Sequence, residues 1–221
     1  MEGDRRDFLS TLAAGAVGAA GLAATDWSTL PAQQAAGHWD LSWVSRLKGR
    51  YRAVFDIPVI EDGYGVWRAA IWRKQYSQVF GVPESSLTTV VNIRHDAIAL
   101  VLRQEYWDRY DVGTRWEVHD PASRRPTTRN PVIGRTGAHA LPEQFADFTL
   151  ESLMAGGAIV LACALALRDC STLVAEREQV SMDVAEERVR GMLAPGVILQ
   201  PSGVFAAVLA QDNGCRFVRA S

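Results

Sequence analysis

Cys163 is the residue whose position in this sequence best suits covalent chemistry. It follows the apolar run at 159–162 and precedes a segment of helical character, so its sulfur is predicted to lie where a strand ends and a helix begins. Free backbone N–H groups and the helix dipole favour negative charge there, so the thiol should ionise readily. A thiolate exposed at the rim of a sheet could attack sulfur in another molecule. The alternative is an inert buried cysteine, since free cysteines are among the most buried residues.

His95 is the second candidate catalytic residue. It directly follows the β-branched segment 88–93, which places it at the carboxyl edge of the same predicted sheet. Beside Arg94 and Asp96, it could assist proton transfer or position an anion. The alternative role is local, because a residue that opens a helix often caps backbone groups.

The segment 111–138 carries many charges but no hydrophobic periodicity. It contains prolines and ends near His139, and its arginines are Arg115, Arg124, Arg125, Arg129 and Arg135. Segments of this length without periodicity inside a compact domain are usually functional or flexible. The segment is therefore either a lid or arm whose arginines meet an anionic ligand or a neighbouring subunit, or a solvated surface loop with scattered ion pairs.

The remaining histidines and cysteines show no metal-ligand spacing, so we expect no dedicated metal site and no required cofactor. Cys170 lies two helical turns beyond Cys163, about 10 Å away by helix rise and too far for a bridge between them. A disulfide between Cys170 and Cys215 is possible in an oxidising compartment, and burial of both as free thiols is the alternative.

Strand and helix signals alternate along the rest of the chain, which indicates an α/β domain with an open, mostly parallel five-stranded sheet covered by helices on both faces. In such sheets, reactive groups gather beyond the carboxyl ends of the strands. The predicted strands are 51–57, 88–93, 158–162, 197–199 and 215–218. The predicted helices are 40–47, 64–80, 95–110, 141–155, 164–178, 182–193 and 203–211.

The amino terminus has the features of an export signal. Residues 5–9 read RRDFL, a mild Ala/Gly stretch follows to residue 24, and no further Lys or Arg occurs until Arg46. The paired arginines resemble a twin-arginine (Tat) signal, although Asp4 and Ser10 depart from its pattern. The resemblance implies passage through the Tat translocase to a periplasmic or other extracytoplasmic location, with a membrane tether if the signal is not cleaved. We therefore divide the chain into a signal at 1–25, a linker and short helix at 26–47, and an α/β domain at 48–221 with an insertion at 111–138.

Composition restricts the class of partner. The 221 residues include 23 basic and 25 acidic side chains, for a formal net charge of -2. A nearly neutral chain has no overall field for nucleic acid, so nucleic-acid binding is not expected. No apolar run reaches the roughly 20 residues that a membrane-spanning helix needs.

Two segments resemble the DsrE/DsrF-like sulfur-relay family. Residues 153–167 (LMAGGAIVLACALAL) are similar to the segment around that family's reactive cysteine, and residues 193–218 are similar to its carboxyl-terminal part. The resemblance covers roughly residues 50–219 apart from the insertion. It implies a small α/β fold, assembly into trimers or hexamers, and persulfide chemistry at the position matched by Cys163.

Three hypotheses about function follow from these observations. The first is an exported DsrE-like protein that binds or transfers sulfane sulfur on Cys163, with an unidentified donor or acceptor and with His95 and the loop arginines as auxiliary groups. The second is a non-catalytic oligomeric binding module of the same fold. The third is a hydrolase or transferase in the same cleft, although the chain lacks a G-x-S-x-G elbow or recognisable triad.

Overall fold

A parallel sheet forms the centre of the protein. The computed structural model describes residues 39–120, 123–134 and 147–221, in which five strands pair in the order β4-β3-β2-β1-β5, each parallel to its neighbour. They are β1 Tyr51–Ile57, β2 Leu87–Ile93, β3 Ile159–Cys163, β4 Ile198–Gln200 and β5 Arg216–Arg219. The predicted α/β class with an open parallel sheet is confirmed, and the described residues belong to one compact unit, Trp39–Ser221.

Helices separate the strands along the chain. The α-helices are α1 Tyr64–Phe80, α2 Gln104–Arg109, α3 Val112–Arg115, α4 Leu150–Ala155, α5 Ala164–Glu178, α6 Met182–Gly191 and α7 Gly203–Asp212. Short 3₁₀ helices cover Ser42–Arg46, Glu61–Gly63, Glu84–Ser86 and His95–Val101. The predicted bounds of α1 and α5 are confirmed. Both helices end at residues with left-handed backbone, Gly81 and Gln179, the geometry that commonly terminates a helix.

Alternate residues of the strands supply two hydrophobic cores, one on each face of the sheet. The larger core contains Phe55, Val91 and Val160 with parts of α1 and α5. The smaller one contains their strand neighbours Val54, Val90, Ile159 and Leu161, packed against Trp43 and α7. Because successive side chains of a strand point to opposite faces, buried strands of this kind are apolar along their length.

The prediction of one continuous helix over 95–110 is wrong, because the helix is interrupted in its middle. The chain forms a 3₁₀ helix over His95–Val101, extends at Leu102 and Arg103, and only then begins α2. Backbone hydrogen bonds to the segment after α6 occupy the break: the Arg103 N–H donates to the Met192 carbonyl, and the Ala194 N–H donates to the Val101 carbonyl, both at 2.8 Å. These tertiary bonds replace helical ones, so the break depends on residues about 90 positions further along the chain.

The predicted helix 141–155 is not continuous through its described part, because Thr149 has an extended backbone and the helix begins only after it. In the described part, α4 starts at Leu150, and the Thr149 side chain accepts a hydrogen bond from the Ser152 N–H as the N-cap. Threonine is a favoured N-cap because its oxygen satisfies an otherwise unpaired donor of the first turn. The predicted entry through Pro142 lies outside the described residues.

The segment before the first strand contributes to the core. Ser42–Arg46 is a 3₁₀ helix, and its Trp43 is fully buried in the smaller core. The predicted signal at 1–25 and the linker up to His38 lie outside the described residues. Among the helices of the described part, none has the length and apolar character to cross a membrane.

Candidate functional site

Cys163 lies at the junction between β3 and α5. It is the last residue of the strand and the N-cap of the helix, and its Sγ accepts a hydrogen bond from the Ala166 N–H at 3.4 Å. The predicted position of this cysteine, between a strand's carboxyl end and a helix's amino end, is therefore what the structure shows. The amino terminus of a helix stabilises negative charge at that point.

The expectation that this sulfur is exposed at the rim is wrong. Cys163 belongs to the larger core and is only 6% exposed. The Ala166 N–H bond accounts for part of this burial, because the sulfur turns towards the first turn of α5 rather than outwards. A reagent that reaches Cys163 must therefore be small, or must approach as the adjoining turn opens.

A half-buried ion pair lies at the carboxyl edge of the sheet, the edge at which Cys163 ends its strand. Arg94 donates from Nε to Asp56 Oδ1 at 2.8 Å and from Nη2 to Asp56 Oδ2 at 2.7 Å. Asn92 Nδ2 donates to the same Asp56 Oδ1 and to the Gly203 carbonyl, both at 2.9 Å. Hydrogen bonding to Asp56 is the main cause that raises the pKa of Arg94 above its ordinary value, and burial opposes it. The charge of Cys163 acts in the same direction as Asp56, so the sulfur lies within electrostatic range of the guanidinium.

Sequence reasoning placed Arg94 beside His95 but did not identify Asp56 or Asn92 as part of the site. A signal for them exists: each is the one polar residue in the apolar run that ends its strand, 53–57 in β1 and 90–93 in β2, and each stands one position before the final isoleucine. Asp56 and Asn92 are in register across β1 and β2. A carboxylate and an amide buried at matching positions need each other or a third group as a hydrogen-bond partner.

His95 lies next to the ion pair in sequence, but its side chain contacts Asp96 and is largely exposed. Its side chain is 66% exposed, and its Nδ1 lies 3.2 Å from Asp96 Oδ2. No hydrogen bond joins His95 to Cys163 within the described chain. Its backbone is left-handed (φ 51°), a strained conformation that is uncommon for a residue other than glycine. The structure therefore brings Cys163 together with Arg94 rather than with His95.

The insertion packs against the domain. Asn130 is fully buried, and its Nδ2 donates to the Leu100 and Leu102 carbonyls at 3.0 and 2.8 Å. Arg129 pairs with Asp120 inside the insertion at 3.0 Å. The described part of the segment is thus anchored to the domain at Asn130 rather than fully solvated, while Arg135 and His139 lie outside the described residues.

Arg124 of the insertion faces an open cavity of about 350 Å³. Acidic side chains predominate among its charged lining residues, which are Glu61, Asp62, Asp96, Glu117 and Asp120 against Arg124 alone. An acidic cavity repels anions. This placement does not support the interpretation that Arg124 receives an anionic ligand there.

The other two cysteines are buried free thiols on opposite faces of the sheet. Cys170 belongs to the larger core and Cys215 to the smaller one, so the sheet separates them and the possible disulfide does not form. Burial raises the pKa of Cys170 to about 12 and raises that of Cys215. Both thiols therefore stay protonated near neutral pH. Within the described residues, no group of three or more side chains is arranged to hold a metal ion.

The comparisons with known proteins supply no relative of this chain. No family model matches it, and no curated protein or solved structure does.

Proposed function

We propose that this protein binds or transfers sulfane sulfur as a persulfide on Cys163, outside the cytoplasm, where the twin-arginine segment would direct it. The observation that carries the proposal is the position of Sγ, at the amino end of α5 and within electrostatic range of Arg94. The resemblance of residues 153–167 to the DsrE/DsrF-like family supports the same assignment.

The chemistry requires no cofactor. The Cys163 thiolate attacks the sulfane sulfur of a donor, a new S–S bond forms at Sγ, and the donor's own bond to that sulfur breaks. The leaving group takes the electron pair, so no external oxidant or reductant is needed. The sulfur then passes to an acceptor by the same kind of displacement. An acceptor thiolate attacks the outer sulfur of the persulfide, and Cys163 leaves as a thiolate.

The surroundings of the three thiols favour Cys163 over the others. Cys163 and Cys215 are almost equally buried, at 6% and 5% exposure, so access alone does not separate them. Burial raises the pKa of Cys170 and Cys215, whereas Cys163 accepts a helix N–H bond and has a guanidinium nearby. The thiolate is the nucleophile, so Cys163 should be the site of loading.

Intact-mass measurement after polysulfide exposure tests the proposal. The wild-type protein should gain one sulfur that a thiol reductant removes, Cys163→Ser should gain none, and Cys215→Ala should load like the wild type because its thiol is protonated. Equal loading of Cys163→Ser and wild type would overturn the proposal.

The second candidate function is a non-catalytic oligomeric binding module, favoured by the outer surface of α7. Val204, Phe205 and Val208 on this helix are exposed, as is Phe217 on the edge strand β5. The helix has no ionisable residue before Asp212, so a partner must itself be apolar there. A second copy of this chain related by a two-fold axis presents the same apolar stripe and meets that requirement.

Oligomeric state measured by light scattering after gel filtration tests the second candidate. Val208→Asp should shift the protein to a smaller species, because it places a charge in the middle of the apolar stripe. Val184→Asp, an exposed valine on α6, is the matched control and should leave the species unchanged. A wild-type monomer, or the same shift in both variants, would contradict the α7 interface.

A further inference from the structure

Arg94 stands at the same level of the sheet as Cys163. The register pairs Ile93, the last residue of β2, with Ala162 of β3. The residues that follow this pair along the chain, Arg94 and Cys163, therefore lie at the same edge of the sheet. Arg94 is also the N-cap residue of the 3₁₀ helix His95–Val101. Its backbone N–H donates to the Ile57 carbonyl at 3.1 Å, which fixes where its side chain starts.

The ion pair with Asp56 presents positive charge outwards. The Asp56 side chain is 3% exposed and accepts three hydrogen bonds, from Arg94 Nε, Arg94 Nη2 and Asn92 Nδ2. The Arg94 side chain is 31% exposed, and in the part of the chain that the structure describes its Nη1 has no hydrogen-bond partner. The carboxylate is thus buried and saturated, whereas the guanidinium keeps donors for a further group.

Gly203 provides the space in which Arg94 lies. A Cβ on Gly203 would come within 2.6 Å of both Cβ and Cδ of Arg94, so the arginine crosses directly over the first residue of α7. The amino terminus of this ten-residue helix adds its own partial positive charge next to the guanidinium. Any side chain at position 203 would displace Arg94 from this course.

We propose that Arg94 recognises the anionic end of the sulfur donor, and that the donors of this protein are small oxyanion-terminated sulfane compounds such as thiosulfate or thiosulfonates. This inference rests on the proposed function at Cys163. For thiosulfate, the Cys163 thiolate attacks the outer sulfur and the S–S bond breaks towards the oxidised sulfur. Sulfite leaves with the electron pair, so the products are a Cys163 persulfide anion and sulfite. Arg94 binds the sulfonate oxygens and stabilises the charge that sulfite gains, a task suited to the planar guanidinium.

The narrow access to Cys163 agrees with this substrate class. A cysteine with 6% exposure admits a compact anion more readily than a bulky disulfide. Arg94 is partly exposed, so a donor can contact the guanidinium before its sulfur reaches Sγ. Recognition by charge then places the outer sulfur next to the thiolate.

Alkylation by two reagents that differ in charge tests the inference without relying on sulfur transfer. Iodoacetate and iodoacetamide react with thiolates by the same displacement, and their rate ratio at Cys163, relative to a free thiol, reports how the site receives an anion. In wild type the ratio should favour iodoacetate by about two- to threefold, below the roughly fivefold expected for an unpaired unit charge about 4 Å away in water, because the Asp56 carboxylate offsets part of the Arg94 charge. The preference should disappear in Arg94→Gln and Gly203→Ala, and it should decrease with added salt. Arg216→Gln, at the exposed start of β5, is the control and should keep the wild-type ratio.

A binding measurement tests the role of Arg94 without using the Cys163 thiol, so it also applies if that thiol does not react with the alkylating reagents. Calorimetric titration of Cys163→Ser with thiosulfate should show binding that Cys163→Ser/Arg94→Gln lacks and that Cys163→Ser/Arg94→Lys retains in part. If polysulfide loads Cys163 but wild type and Arg94→Gln have the same iodoacetate-to-iodoacetamide rate ratio, the role of Arg94 is overturned and the persulfide proposal stands. Arg94-dependent anion binding without any loading would overturn the persulfide proposal alone. No anion binding to Cys163→Ser together with no iodoacetate preference would overturn the inference.

Discussion

Replacing Asp56 by Asn should lower the free energy of unfolding by about 3 kcal/mol, because it removes one partner of a buried ion pair. Asp56 accepts from Arg94 twice and from Asn92 once, with all three distances between 2.7 and 2.9 Å. An amide at this position turns an N–H group towards donors that need an acceptor. Arg94 is partly exposed and can reach water, which places the loss at the lower end of the range for broken buried pairs. Urea unfolding at neutral pH measures it.

Asp147→Asn is the matched control for this change. Asp147 also pairs with a basic side chain, Lys74 at 3.0 Å, but it is 75% exposed. Exposed ion pairs contribute less than about 1 kcal/mol, so this variant should unfold almost like the wild type. If the two variants lost the same stability, Asp56 would not anchor Arg94 and the guanidinium would lack the fixed position that anion recognition requires.

The position of Cys163 could be predicted from sequence because its determinants are local. An apolar run that ends in a cysteine before a helical segment specifies a strand-to-helix junction without any knowledge of the rest of the chain. The bounds of α1 could be found for the same reason, since hydrophobic spacing and a terminal glycine lie within the segment itself.

The exposure of Cys163 and its neighbours could not be predicted in this way. Burial of the sulfur follows from its bond to Ala166 and from packing in the larger core. Cys163 and Arg94 lie at the same edge because their strands, β3 and β2, are adjacent in the sheet. Sequence order alone does not give strand order, so the partners of a reactive residue stay undetermined until the topology is known.

The 3₁₀ helix after β2 shows a second limit. Residues 97–102 are all buried, so their apolar character has no single face and fits a helix as well as an extended segment. Hydrogen bonds to Met192 and Ala194 decide between the two. A tertiary partner thus overrides the local preference of this segment.

Gly113→Ala should also lower the free energy of unfolding by about 3 kcal/mol, the upper end of the usual range for overpacking. A Cβ on Gly113 would lie 2.1 Å from the Thr127 carbonyl oxygen and 2.5 Å from the Thr127 nitrogen. Backbone atoms cannot rotate away as a flexible side chain can, so the main chain at Gly113 or at Thr127 must shift. That shift strains the bond from the Thr127 N–H to the Val118 carbonyl, now 2.9 Å. Thermal or urea unfolding gives the loss, and faster hydrogen exchange at Thr127 locates it.

Gly191→Ala is the same substitution at an open position. Gly191 ends α6, and nothing lies within 4 Å of an added Cβ, so alanine should leave stability unchanged or raise it by up to about 1 kcal/mol. The comparison of the two variants shows whether the insertion is loosely held or packed as part of the domain. If Gly113→Ala is as harmless as Gly191→Ala, the segment is held loosely enough to move as a lid over the edge of the sheet. A large loss confined to Gly113→Ala means that the insertion is packed as part of the domain, which would leave Arg94, rather than a closing arm, as the proposed contact for an anion beside Cys163.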